Sequence, residues 1–167
     1  MSERAQRFAA LYRREHPVVL VFAIRRCPNG LSQAEDIAND VFLIAWRRLD
    51  EIPTDEGEAR GWLLATTRNQ LRNLVRNEAR RGRFLNLFAA DVVPVMPPPD
   101  AAIIAQNDLA SAWQQLSTAE QEVIALTVLD ELTSPQAATV LGISAAAYRT
   151  RLNRARNALR KAITATE

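Results

Sequence analysis

Ser134-Pro-Gln-Ala-Ala-Thr-Val-Leu-Gly-Ile-Ser-Ala-Ala-Ala-Tyr148-Arg-Thr-Arg-Leu-Asn-Arg-Ala-Arg-Asn-Ala-Leu-Arg160 decides the fold. Ser134-Pro135 opens a short helix with proline in its first turn, where the absent amide breaks no intrahelical bond. Leu141-Gly142-Ile143 turns the chain, and Ser144 caps a final helix reaching about Thr164. A short helix, a glycine turn and a longer helix make a tight helix-turn-helix. Ala138 stands where the two helices cross closely, and Ile143, Tyr148 and Leu152 close a small core.

On the last helix Tyr148, Leu152, Ala155 and Leu159 step by four, three and four residues, the spacing of a buried stripe. Arg149, Asn153, Arg156 and Arg160 repeat those steps on another face. A helix fits the major groove of DNA, where arginine bonds the O6 and N7 of guanine and asparagine reads adenine. The N-terminal half is the reading end. Base-edge or nearby contact is expected of Arg149, Thr150, Asn153 and Arg154, and phosphate positioning of Arg151, Arg156 and Arg160. Taken alone, the charge run is equally well explained as cations opposing the negative end of the helix dipole. Six bases without an acid from residue 143 to 162 argue otherwise, because structural surfaces intersperse both signs.

Charge along the whole chain repeats the theme. Net charge is only +2, yet fifteen of the 21 basic residues lie in 1–83, none lies in 84–148, and six lie in 149–161. The stretch without bases carries seven acids. Two positive fields separated by a negative one suit a protein that touches nucleic acid at two places.

Upstream, residues 5–15 and 17–26 read as two helices broken at His16-Pro17, followed by the turn Pro28-Asn29-Gly30. Ser32 with Glu35 three residues on reads as a capping box. It opens a helix to about Leu49 whose inner set is Ala34, Ile37, Ala38, Val41, Ala45 and Leu49. Residues 50–58, with Pro53, Gly57 and five acids, form an exposed loop. A long helix over about 59–81 follows. It carries Trp62, Leu63, Thr66, Leu71, Leu74 and Val75 on or near its inner side, and Arg68, Arg72, Arg76 and Arg80 as a basic stripe. From 82 to 104 periodicity fails, and Val93-Pro-Val-Met-Pro-Pro-Pro-Asp100 forbids helix, so this is an interdomain linker. Its apolar content, including Phe84, Leu85, Leu87 and Phe88, suggests that part of it packs. Helices over 101–115 and from Ser117 to about Leu129 complete the reading. The fold expected is all-α: two small helical domains, 1–81 and 105–167, joined by a Pro-rich linker, the second a helix-turn-helix.

Other classes are excluded by inventory. Hydrophobic residues make up 48% and charged residues 24%, so the chain folds. No apolar run approaches the roughly 20 residues that span a bilayer, which predicts no membrane insertion and a cytoplasmic protein. One cysteine, Cys27, and one histidine, His16, exclude an internal disulfide and a Cys/His zinc site; neither metal nor cofactor is expected. No nucleophile and base constellation or glycine-rich phosphate loop argues for an enzyme.

Leu116-Ser-Thr-Ala-Glu-Gln-Glu-Val-Ile, Leu132-Thr-Ser-Pro-Gln-Ala-Ala-Thr-Val-Leu-Gly-Ile-Ser and Tyr148-Arg-Thr-Arg-Leu-Asn-Arg-Ala-Arg-Asn-Ala-Leu resemble the C-terminal domain of extracytoplasmic-function sigma factors, of the sigma-70 superfamily. Ala34-Glu-Asp-Ile-Ala-Asn-Asp-Val-Phe-Leu-Ile-Ala-Trp-Arg-Arg-Leu and Arg60-Gly-Trp-Leu-Leu-Ala-Thr-Thr-Arg-Asn resemble that family's N-terminal domain, in the same order. The resemblance implies a promoter-recognition subunit that binds core RNA polymerase and directs transcription initiation, not an enzyme. It implies polymerase contacts at Asp36, Asn39, Asp40, Phe42 and Trp46, although Phe42 and Trp46 serve equally well as core. The loop 50–58 matches the family's loop for a flipped base of the -10 element. Trp62, Arg68, Asn69, Arg72 and Arg76 lie where the family opens and tracks single-stranded promoter DNA, though a buried Trp62 is the more ordinary outcome. An anti-sigma partner is also implied. Ala146-Ala147-Tyr148 departs from the family's frequent Gly-Thr-Val, and Asn39 stands where Gln is usual. The rival reading is a stand-alone helix-turn-helix regulator, against which stands the absence of dimerisation heptads.

Overall fold

The computed structural model describes residues 2–81, 93–96 and 108–165. Seven α-helices and one 3-10 turn occur among these residues, and no strand. They fall into two compact units that divide between Ala90 and Asp91, inside the stretch read as linker.

In the first unit, α1 (Glu3–Ile24), α2 (Leu31–Arg47) and α3 (Glu56–Arg80) pack on one another, with the 3-10 turn Leu49–Glu51 between the last two. The expected break at His16-Pro17 does not occur: α1 runs straight through Pro17. Proline inside a helix costs about 3 kcal/mol. Here Leu11, Glu15, Val19 and Phe22 keep one buried face continuous across it, and that packing outweighs the missing hydrogen bond. Glu15 is 1% exposed and is clasped by Arg14 Nε at 2.8 Å and by Arg60 Nε of α3 at 2.8 Å. Its hydrogen bond raises the Arg60 pKa further above its ordinary value. A buried carboxylate survives only so paired.

The start of α2 also differs from expectation. Gly30, at φ 82, precedes the helix with no side-chain cap, and Ser32 is already its second residue. Only glycine enters that backbone region without strain, and the Gly30 carbonyl accepts from the Ala34 amide at 3.2 Å. The expected inner set, Ala34, Ile37, Ala38, Val41, Ala45 and Leu49, is buried throughout. The acidic loop is shorter than expected, because Ile52 is buried and α3 already begins at Glu56, capped by Asp55.

In the second unit, α4 (Asp108–Gln115), α5 (Thr118–Val128), α6 (Ser134–Leu141) and α7 (Ala145–Thr164) surround one core. Ser117 with Glu120 and Thr133 with Gln136 form capping boxes on α5 and α6. Gly142, at φ 67, lets the Ile143 amide reach the Ala138 carbonyl at 3.0 Å and reverses the chain. Ser144 then caps α7 through the Ala147 amide at 3.1 Å. Of the linker, Val93 to Met96 is described; it is non-helical, and Val93 and Val95 are buried. Phe84, Leu85, Leu87 and Phe88, and the start of the helix read over 101–115, lie outside the described residues.

Candidate nucleic-acid interface

The exposed face of α7 is positioned from the inside. Tyr148, Leu152, Ala155 and Ala162 are the buried residues of α7, while Leu159 is only half-buried. Tyr148 is fully buried and donates its hydroxyl to the Val123 carbonyl of α5 at 2.8 Å. Burial raises its pKa. The Ala146-Ala147-Tyr148 departure therefore places an anchoring side chain in the core, and Ala146 alone of the three is exposed.

With its inner face fixed, α7 exposes Arg149, Thr150, Arg151, Asn153, Arg154, Arg156 and Arg160 together. At about 100° per residue, Thr150 and Asn153 lie nearest the side opposite the core, with Arg154 and Arg160 next on either side of them. Arg149 and Arg156 flank them on one shoulder and Arg151 on the other. Thr150 returns its hydroxyl hydrogen to the Ala146 carbonyl at 3.1 Å, and Arg160 bonds Asn157 at 2.9 Å. Such a helix offers short polar groups at its crest and guanidinium groups at its edges.

In the first unit the sites separate. Asp36, Asn39 and Asp40 share one exposed face of α2, and Leu43, 47% exposed, continues it; sequence reasoning missed Leu43, although it stands one turn beyond Asn39 and Asp40. Phe42 does not belong to that face. It is 3% exposed and packs edge-on against Tyr12 at 4.8 Å and Phe8 at 6.4 Å. Trp46 is 36% exposed, with Phe8 against its ring and the Arg4 guanidinium 5.3 Å from the ring centre.

The basic stripe of α3 divides for a geometric reason. Steps of four residues advance about 40° beyond each full turn, so the stripe drifts out of the core. Arg68 is buried, Arg72 half-buried, and Asn69, Arg76 and Arg80 exposed. Arg68 thus departs from the expected open surface. Trp62 is half-buried, with the Arg48 guanidinium 5.6 Å from its ring centre. Arg48 in turn bonds Glu51, whose carboxyl is held below the usual range chiefly by that hydrogen bond. The segment between α2 and α3 keeps Asp50, Glu51, Thr54 and Asp55 exposed over the buried Leu49 and Ile52, and Glu56, the first residue of α3, continues that exposed run.

Among the described residues no cluster of His, Cys, Asp and Glu is arranged to hold a metal, and no helix is long and apolar enough to cross a membrane. Cys27 is sealed inside, its thiol pushed up to about 11 by burial and then by Glu78.

Comparison with known proteins agrees with this architecture. The family model for sigma-70 region 2 matches residues 11–81, covering most of α1 to α3, and that for sigma-70 region 4 matches residues 106–159. The RNA polymerase sigma factor CnrH of Cupriavidus metallidurans is 34% identical over 152 residues, spanning 84% of this chain and 78% of that protein. The ECF RNA polymerase sigma factor SigK of Mycolicibacterium vanbaalenii is 28% identical over 167 residues, spanning 95% and 83%. Among solved structures, the sigma factor RpoE of Bartonella quintana, in complex with the anti-sigma factor NepR, superimposes with a TM-score of 0.66 at 23% identity, over 94% of this chain and 96% of that one. CnrH with the cytosolic domain of CnrY gives a TM-score of 0.56 at 23% identity, over 98% and 96%. By fold, by both region matches and by these relatives, the chain belongs to the extracytoplasmic-function sigma factors of RNA polymerase.

Proposed function

We propose that the two units divide promoter recognition between them while the α2 face holds the polymerase. In this reading Asp36, Asn39, Asp40 and Leu43 contact core RNA polymerase, with Trp46 at the margin and Phe42 supporting the face from beneath. Trp62, Asn69, Arg72 and Arg76, with the segment between α2 and α3, engage the -10 element, and Arg68 braces α3 from within. Arg149, Thr150, Asn153 and Arg154 read the -35 element, and Arg151, Arg156 and Arg160 bind its phosphates. The observation that carries the reading is the exposed face of α7, basic and acid-free, on a helix whose other side is fixed by Tyr148.

Each unit alone binds DNA weakly, and polymerase holding both makes the second contact effectively intramolecular. The chain is an initiation factor with no catalytic chemistry of its own. It works in the cytoplasm, and an anti-sigma factor restrains it by covering the polymerase-facing and DNA-facing surfaces. The test is transcription by purified core polymerase lacking any other specificity subunit. Adding this chain is expected to produce discrete start sites. Random initiation, or no binding to core in a pull-down, would refute the reading.

A further inference from the structure

Three arginines of α1 reach the segment between α2 and α3. Arg4 donates to Asp50 Oδ2 at 2.7 Å and to the Trp46 carbonyl at 2.7 Å. Arg7 donates to the Ile52 carbonyl at 2.7 Å, and Arg14 to Glu56 Oε1 at 2.8 Å. Positions 4, 7 and 14, with the buried Leu11 between them, form one stripe at steps of three, four and three. The segment is therefore fastened at its beginning, middle and end from a single helix, while Leu49 and Ile52 hold it from below. The main-chain acceptor of Arg4, Trp46, lies in α2, whereas the bond of Arg7 falls within the segment itself. Its acceptor is main-chain, so it fixes the path of the backbone at Ile52 whatever side chains the segment carries.

The geometry points to the arginine stripe of α1, and Arg7 above all, as a positioning device that sets the segment 49–56 for reading a -10 base. The inference rests on the proposed role of that segment. If a carboxylate-rich strand is to take up a base, it must do so through a shaped pocket and backbone groups, since its charge repels DNA. A shaped pocket requires a fixed backbone. Arg7 touches no DNA in this scheme and acts through the segment.

The test uses holoenzyme reconstituted from core polymerase and the full chain, with initiation measured from promoters differing at single -10 positions. Arg7→Ala is expected to reduce the ratio between the best and worst -10 bases about tenfold, with affinity for core and choice of -35 sequence unchanged. Arg7→Lys, which keeps a donor and the charge, is expected to recover part of the ratio. Val19→Ala, a buried change on the same helix remote from the segment, controls for loss of stability and is expected to leave the ratio intact. An unchanged ratio in Arg7→Ala, or an equal loss in Val19→Ala, overturns the proposal. The double substitution Pro53→Gly and Thr54→Gly separates this failure from that of the underlying reading. If it too leaves -10 discrimination unchanged, the segment does not read the base. If it abolishes discrimination while Arg7→Ala does not, only the arginine stripe is dismissed.

Discussion

Tyr148 gives its phenolic hydrogen to the Val123 carbonyl at 2.8 Å, so the Thr127 hydroxyl, 2.7 Å away, donates to the phenol oxygen. One side chain of α7 thus satisfies two groups of α5. Tyr148→Phe removes both bonds while keeping the ring. It is expected to lower stability by about 1–2 kcal/mol, read as a shift in the urea midpoint of the second unit. Tyr148→Val leaves a cavity besides and is expected to cost about 3–5 kcal/mol. A wild-type midpoint in either variant would show that the hydroxyl and ring contribute nothing.

The surface of α7 predicts two kinds of defect. Arg149→Ala or Arg154→Ala is expected to weaken discrimination among -35 sequences by about 1–3 kcal/mol. Arg156→Ala or Arg160→Ala is expected to weaken all sequences alike and to flatten the dependence of binding on salt. Both are measured with holoenzyme. Loss of discrimination in the second pair without loss in the first would reverse the assignment.

On α2, a buried and an exposed residue only one position apart are expected to fail differently. Leu43→Asp, on the exposed face, should abolish capture of core polymerase while leaving thermal unfolding nearly unchanged. Phe42→Ala removes a core aromatic and should cost about 3–5 kcal/mol of stability. If Leu43→Asp binds core normally in a pull-down, the acidic face is not the docking surface.

Alkaline pH provides a further test of packing. The Cys27 thiol ionises near 9.0 when exposed and near 11 in the fold, so the folded state holds this proton more tightly. Its contribution to stability is complete below pH 9.0 and is lost as pH rises through 11. The loss amounts to up to about 3 kcal/mol. Cys27→Ala should flatten that slope in denaturant titrations across this window. A thiol reagent at pH 8 should label native protein no faster than global unfolding permits.

Glu131 occupies the left-handed region at φ 54, where the chain leaves α5. Glu131→Gly is expected to stabilise the second unit by about 0.5–1 kcal/mol by relieving that strain. Calorimetry with no upward shift in Tm would contradict this.

The helix-turn-helix was legible because its signals are local. Pro135, Gly142 and Ser144 act within four residues of themselves, and each does in the structure what its chemistry dictates. Errors arose where distant packing outweighed local preference. Proline at 17 argues for a break, and only the burial of Leu11, Val19 and Phe22 against other helices overrides it. Ser32 is a good cap, but Gly30 reached a backbone conformation that started the helix sooner. Arg68 illustrates a third limit: charge periodicity finds a stripe, yet where a stripe meets the core depends on its slow rotation about the helix. The contacts of Arg4, Arg7 and Arg14 span more than forty residues of sequence, and no local pattern announces them.

Arg14 serves two carboxylates at once, the submerged Glu15 and the wet Glu56 at the mouth of α3. Different nitrogens of Arg14 make the two bonds, so a ligand that draws Glu56 aside leaves Glu15 paired through Arg14 and Arg60, and disturbance at the rim stops short of the buried charge.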